Sequence, residues 1–406
     1  MNGPRRESLS RLKAEGRATI RLAIPVMVSR VGVLTLIAVD SAMTGHAGAV
    51  ELAYYAIAMA VQTPFMMFGI GLVTGTVILT AQAEGAGHRE QGGAVLTAGG
   101  CLALVAGIVI AAGLIVGGDG LMRLLGQPAE LLIGAGACLR AIAWGLIAVF
   151  IYAVATFFLE GIGRPVIGMV VMVIANVLNV GLNWILIYGN ERPLPMLGVG
   201  WEPLGAEGAA LATSIVRGFA ALSLLLYIAW VVDRRVYGLG FVWRRSMIRR
   251  LMRLGLPVGI SQTLESGAFA AMVVLAGWLG ALHTAAFQIG LNLVSLPFMA
   301  ALGLSTAASI RVGHAVGAGD AGAVRRAAMV AIALVIAIEL VVASAFVSVP
   351  GLFAGLYSSD ISVLSLAIPT VVLAGFVLVP DALPVVCIGA LRGMSDVWVP
   401  TGLFLA

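Results

Sequence analysis

The sequence predicts an all-α polytopic membrane protein: two pseudo-symmetric six-helix lobes, the second cut short, with about 10–11 spans present at about 20 apolar residues each. Three observations predict it. The 406 residues are 61% hydrophobic and 11% charged, with a mean hydropathy of +1.06, whereas a soluble domain carries about a quarter charged residues. Apolar runs long enough to cross a bilayer recur along the chain. Short motifs recur at one fixed offset of 232 residues, the mark of a duplication.

The chain opens with a basic arm, residues 1–20, followed by a full-length apolar run without a small-residue cleavage pattern, so a cleavable leader is not expected. Spans follow at 22–44, 53–81, 94–117, 131–158, 165–188 and 208–232, which make an N-lobe over residues 21–232. A basic linker, 233–253, carries seven arginines. The C-lobe, residues 254–406, holds spans at 254–281, 285–310, 327–349 and 361–388, with another beginning near Trp398. With the N-terminus in the cytoplasm, 19 of the 24 Lys and Arg fall on the cytoplasmic side. Only Arg123 and Arg192 fall opposite, and Arg30, Arg140 and Arg217 lie within spans. This asymmetry sets the orientation of a multi-pass protein in the cytoplasmic (inner) membrane, and it accounts for the net charge of +5 without nucleic acid.

RLAIP at 21–25 returns as RLGLP at 253–257, GAG at 85–87 as GAG at 317–319, and LEG at 159–161 as LRG at 391–393. Six spans per copy leave both copies in the same orientation, related by an axis along the membrane normal. A complete second copy would run past Ala406, so most of an eleventh span and all of a twelfth are expected to be missing. Pro25 and Pro257 occupy matching places in the two copies, and Pro380 flanks an acid in the last full span. All three are hinge candidates.

Ionisable residues inside a membrane are expensive and therefore read as functional. Asp40 sits mid-span in VLTLIAVDSAMTG. In 165–188, Asn179 and Asn183 lie one turn apart on one helix face, with Thr213 in the next span. Asn176 and Ser214 nearby read as packing residues. The second half carries Glu265, with Gln262 one turn before it, and Asp381 between Pro380 and Pro384. Glu265 and Asp381 read either as a site or as a buried pair sharing a proton. The repeat does not equate these acids with Asp40, because positions 33 and 272 are Val and Met. Glu339 has no evident partner in the sequence, and Arg140 and Arg217 receive no role. The three cysteines and four histidines form neither a disulfide framework nor a ligand cluster, so no metal is expected beyond Na⁺ at the coupling sites.

AIPVMVSRVGVLTLIAVDSAMTG, AQAEGAG, LEGIGRPVIGMVVMVIANVLNVGLNW, GLPVGISQTLESGAF, AAFQIGLNLVSLPFMAALGLSTAASIRVGHAVGAGD and GALRGMSDVWVPT together resemble the multidrug and toxic compound extrusion (MATE) family, over about residues 18–402. The resemblance implies two six-helix lobes around a cavity and the extrusion of organic cations against inward H⁺ or Na⁺. It also implies an N-lobe cation site at Asp40, Asn179, Asn183 and Thr213, and a C-lobe site at Glu265 and Asp381. Two positions depart from the pattern: Val377 stands where some members place a tyrosine, and Asn183 where some carry an aspartate.

The expected function is therefore a cation-coupled antiporter working by alternating access, with H⁺ the favoured coupling ion and Na⁺ the alternative. A small hard cation needs about six oxygens, and Glu265 and Asp381 supply at most four from their side chains. The expected partners are small organic cations and membrane lipid, with no nucleic acid, for a monomer without an organic cofactor. A lipid-linked sugar flippase of the same broad superfamily is the second reading, weakened because the residues at the family sites are acidic rather than basic. A membrane-embedded enzyme is a third; no nucleophile, metal or nucleotide motif stands in a suitable context.

Overall fold

The structure, a computed structural model, describes residues 3–189, 202–357 and 360–405. Among them the regular structure is helical: α1 Gly3–Ala47, α2 Ala49–Val73, α3 Gly75–Gly85, α4 Gly92–Leu124, α5 Ala129–Gly161, α6 Pro165–Tyr188, α7 Gly205–Val231, α8 Arg245–Trp278, α9 Ala281–Gly317, α10 Ala321–Ser348, α11 Pro350–Gly355, α12 Ile361–Gly393 and α13 Trp398–Leu405. Among the described residues, nine helical stretches are long and apolar enough to cross a membrane. The run expected at 254–281 lies largely in α8, whose first turns carry the linker arginines Arg245, Arg249, Arg250 and Arg253. The expected span 53–81 is interrupted at Thr74, between α2 and α3. Arg192 lies outside the described residues.

The basic arm is an N-terminal extension of α1 rather than a separate segment. Apart from Gly16, its residues after Pro4 tolerate a helix, with several strong formers among them, and no proline recurs before Pro25. An ion pair ties it down: Arg311 of α9 binds the Glu15 carboxylate and donates to Thr19 Oγ1 at 2.8 Å.

Two compact units organise the chain. One, here the N unit, comprises 32–80 and 88–263; the other, the C unit, comprises 1–31, 81–87 and 264–406. In the N unit α5 packs on α2, α4 and α7, and α6 packs on α7. Its interior is apolar, built around Phe158, Leu159, Leu224 and Ile228, with Leu36, Met172, Ala175 and Val216 beside them. In the C unit α12 packs along α9 and α10. Ala301, Leu304, Val335, Ala382 and Val386 fill one end of that interface and Leu293, Phe346, Val371 and Leu378 the other.

The duplication is visible in the backbone. Gly48 and Gly280, one repeat apart, each precede a helix. Gly87 and Gly319 both take left-handed φ, +74° and +71°, at the ends of α3 and α9. Gly163, at φ +77°, closes α5: its N–H donates to Glu160 O at 2.9 Å, and the Arg164 N–H donates to Leu159 O at 2.7 Å. Ser395 repeats this at φ +66° after α12, with its N–H on Arg392 O at 2.8 Å and the Asp396 N–H on Leu391 O at 3.0 Å. This is the left-handed helix stop that glycine adopts most easily. Serine is held in it by Gln82, whose Nε2 donates to Ser395 Oγ at 2.8 Å and to Gly393 O at 2.9 Å. The prolines match as well. Pro25 and Pro257 lie inside α1 and α8, and the serine four residues after each donates to the proline carbonyl at 3.0 Å. α12 stays helical through Pro380.

These positions separate backbone strain from packing. Around Gly163 nothing lies within 4 Å of an added methyl, so Gly163→Ala is expected to cost about 1–2 kcal/mol through its positive φ alone. Gly181, in the middle of α6, has equal space and ordinary helical geometry. Gly181→Ala is expected to leave stability unchanged or raise it by up to about 1 kcal/mol. Thermal unfolding of the two variants in detergent should move in opposite directions, and a joint fall would remove the backbone explanation.

Candidate functional site

The site of the N unit is assembled by the α1–α2 hairpin and by α6 and α7. Asp40 lies seven residues before the end of α1, and Tyr55 six residues after the start of α2, so the reversal at Gly48 brings them level. The α1–α6 approach is fixed on either side: Asn176 Nδ2 donates to Gly32 O at 3.1 Å and Tyr188 Oη to Met43 O at 2.7 Å. α7 is anchored by its first turn, where the Ala206 N–H donates to the Glu51 carboxylate of α2 at 2.7 Å. An anion at a helix N-terminus satisfies a free N–H and complements the helix dipole. Ser214 Oγ holds α7 to α5 through Ala141 O at 2.9 Å. Asn176 and Ser214 are thus the packing residues expected.

Within this frame Asp40 is 1% exposed and accepts four hydrogen bonds. Asn179 and Asn183 donate their Nδ2 groups to Oδ1 at 3.0 and 2.6 Å. Tyr55 and Thr213 donate hydroxyls to Oδ2 at 2.8 and 2.5 Å. Asn183 Nδ2 also reaches Asn179 Oδ1 at 3.2 Å. All four partners are buried. A carboxylate has about four lone-pair sites, and each is filled, which is how this interior tolerates the charge. The four residues expected to meet in the N-lobe do meet: Asp40, Asn179, Asn183 and Thr213. Beside them, Arg217 lies one turn beyond Thr213, within electrostatic reach of Tyr55 and Asp40. Its Nη2 contacts Met66 Sδ at 3.5 Å, and its buried Nη1 has no partner among the described residues.

The acids of the C unit are arranged differently. Glu265, at the end of α8 that belongs to this unit, is half-buried, and Asp381 on α12 is exposed. Glu265 lies within electrostatic reach of both Arg392 and Asp381. No hydrogen bond joins the two acids among the described residues, so the alternative of a buried pair sharing a proton is not met. Gln262 belongs to the N unit; its Oε1 lies against Gly71 of α2 without a hydrogen-bond partner among the described residues. Arg140, left without a role, pairs with Asp119 at 3.3 Å on an exposed face.

The family model MatE matches residues 25–185 and 257–406, two stretches that cover most of the chain. The chain belongs to the MATE family. A probable multidrug resistance protein NorM of Caulobacter vibrioides is 34% identical over 397 residues, covering 94% of this chain and 80% of that protein. A multidrug resistance protein NorM of Photobacterium profundum is 31% identical, covering 95% and 83%. Among solved structures, MATE in a bent conformation superposes with a TM-score of 0.85 at 23% identity, covering 97% of this chain and 86% of that one. The eukaryotic MATE transporter AtDTX14 gives 0.84 at 21%, covering 96% and 85%. These likenesses establish the fold, two pseudo-symmetric halves of a multi-pass membrane protein.

Two residues of the MATE site escaped the sequence reading. Tyr55 follows Tyr54 near the start of its span, where aromatic residues usually mark the membrane interface. No helical register links it to Asp40, so its signal was lost. Arg217 did carry one: it is four residues after Thr213, hence on the same face of α7.

The hydrogen-bond pattern predicts which substitutions the site tolerates. Asp40→Asn can keep Oδ1 toward the two asparagine amides and turn Nδ2 toward the two hydroxyls, which rotate to accept. It is expected to fold with near-wild-type thermal stability. Asn183→Leu removes a donor from the buried carboxylate and is expected to cost about 1–3 kcal/mol. Circular dichroism melts of both variants in detergent check the ranking, and an Asp40→Asn protein less stable than Asn183→Leu would contradict it.

Proposed function

We propose that this protein is a proton-coupled antiporter that extrudes organic cations across the cytoplasmic membrane by alternating access. The observation that carries the reading is the Asp40 cage. Both asparagines present nitrogen to the carboxylate, and both hydroxyls donate to it. The four groups around Asp40 thus act as donors to it, whereas a small cation would require about six oxygen ligands. A proton needs only one oxygen. Bound at Oδ2, it would turn one of the two hydroxyls, Tyr55 or Thr213, from donor to acceptor and remove the charge within electrostatic reach of Arg217. Charged and neutral Asp40 thus favour different hydrogen-bond arrangements across α1, α2 and α7. A ligand shifts a two-state equilibrium only by such a difference in interaction.

The substrate class follows from two supports. The relatives named above carry multidrug resistance in their names. The C unit offers carboxylates, Glu265 half-buried and Asp381 exposed, which attract cations. The protein acts as a monomer with its N-terminus in the cytoplasm, consistent with the distribution of its arginines. No nucleic acid enters the reading, and the coupling ion takes the place of a cofactor.

Purified protein in proteoliposomes tests this. A pH gradient without Na⁺ should drive efflux of an ethidium-type cation, and Asp40→Asn should abolish it while remaining folded. Glu265→Gln and Asp381→Asn should each weaken it, and the double variant should be little worse than the weaker single if the two act as one unit. Efflux driven by a Na⁺ gradient at equal pH, and not by a pH gradient alone, would overturn proton coupling.

A further inference from the structure

We propose that Glu339 of α10 is a proton-binding carboxyl of the C unit, a third acid that exchanges its proton with Asp381 during transport; the transport role rests on the antiport reading above.

Glu339 is 1% exposed, and neither carboxyl oxygen has a hydrogen-bond partner among the described residues. Its place on the helix explains the burial. Ala331 and Val335 lie two turns and one turn before it and Phe346 two turns after, so all share the face turned to the core. Val335 belongs to the apolar cluster that includes Ala382 and Val386 of α12. Phe346 belongs to the one that includes Leu378 and Val371. Glu339 therefore sits at the seam of these two clusters, level with residues 378–382 of α12. Asp381 lies in that stretch, between Pro380 and Pro384.

The ionisable groups on the helices packed against α10 are few. α9 contributes His283, Arg311 and His314; α12 contributes Asp381, Cys387 and Arg392; α11 contributes none. α10 itself carries Arg325 and Arg326 near its start. Of these only Asp381 acts on Glu339 electrostatically. Among the described residues no cation compensates a charge at Glu339 and no donor solvates it. An ionised carboxylate in that position is far costlier than a neutral one, so the described arrangement is that of a carboxylic acid.

The contrast with Asp40 is chemical. Asp40 is buried with four donors, the environment of a carboxylate; Glu339 is buried with none, the environment of an acid. The first copy of the repeat has Gly107 in the position of Glu339, pressed against Ile147 of α5, so the acid is particular to the second half. Of the two acids, Asp381 is the exposed one. Neither Glu339 oxygen is bonded to Asp381 here, so the transfer belongs to a conformation that brings the two within hydrogen-bond reach; there the Glu339 O–H bond breaks, an O–H bond forms on Asp381, and the negative charge passes to Glu339. Asp381 then releases the proton to solvent.

Infrared spectroscopy of the purified protein tests the protonation without any transport. At neutral pH the wild type should show a protonated-carboxyl C=O band that disappears in Glu339→Gln, moves in Glu339→Asp and persists in Asp40→Asn. In proteoliposomes, Glu339→Gln should lower pH-driven efflux by roughly tenfold or more, a size ordinary for coupling between sites. Glu339→Asp, which keeps the ionisable group, should recover part of it. A band unchanged by Glu339→Gln overturns the proposal, as does full pH-driven efflux by that variant. Wild-type protein that moves no cation under a pH gradient overturns the antiport reading instead, and the band then decides the state of Glu339 by itself.

Discussion

A carboxylate placed in a hydrocarbon-embedded core has to be fully solvated by protein, and this requirement at Asp40 organises the N unit. Four donors must converge from α2, α6 and α7 on one side chain of α1. That fixes the register of three helices against the fourth to within a fraction of a turn. The supporting bonds read as consequences. Glu51 holds the start of α7, Tyr188 and Asn176 hold α6 to α1, and Ser214 holds α7 to α5. Each fixes a helix within about three turns of the residue that meets the carboxylate, Ser214 directly beside Thr213.

The C unit meets the same problem by other means. Asp381 is exposed, Glu265 has the cation Arg392 within electrostatic reach, and Glu339 is left to carry a proton. One chain thus uses hydrogen-bond donors, exposure, ionic compensation and neutralisation. The two halves share a backbone plan and differ in electrostatics.

Much of this was legible in the sequence, and what was not has physical reasons. Spans could be read because hydrocarbon demands continuous apolar length. Asp40 stood out because such runs exclude charge, and Asn179, Asn183 and Thr213 because helical spacing places amides and hydroxyls on defined faces. The match RLAIP to RLGLP showed the duplication, yet it could not show that Ser29 and Ser261 each bind the carbonyl of the preceding proline. The extension of α1 to Gly3 was missed because a basic, polar stretch reads as a loop unless its partner is known, and Arg311 lies nearly 300 residues away. Tyr55 was missed because tertiary proximity across a helical hairpin leaves no local pattern. Gln262 was grouped with Glu265 because they lie one turn apart on the same helix, but α8 runs from one compact unit into the other between them.

The stop after α12 records how such a duplicated chain drifts. Gly163 and Ser395 stand at matching positions of the repeat, 232 residues apart, and only the first is glycine. The second has a hydroxyl, to which Gln82 donates. The stop at 395 therefore leans on a side chain more than three hundred residues upstream, while the stop at 163 rests on its own backbone. Two matching turns of one backbone plan thus have different dependencies, one local and one long-range.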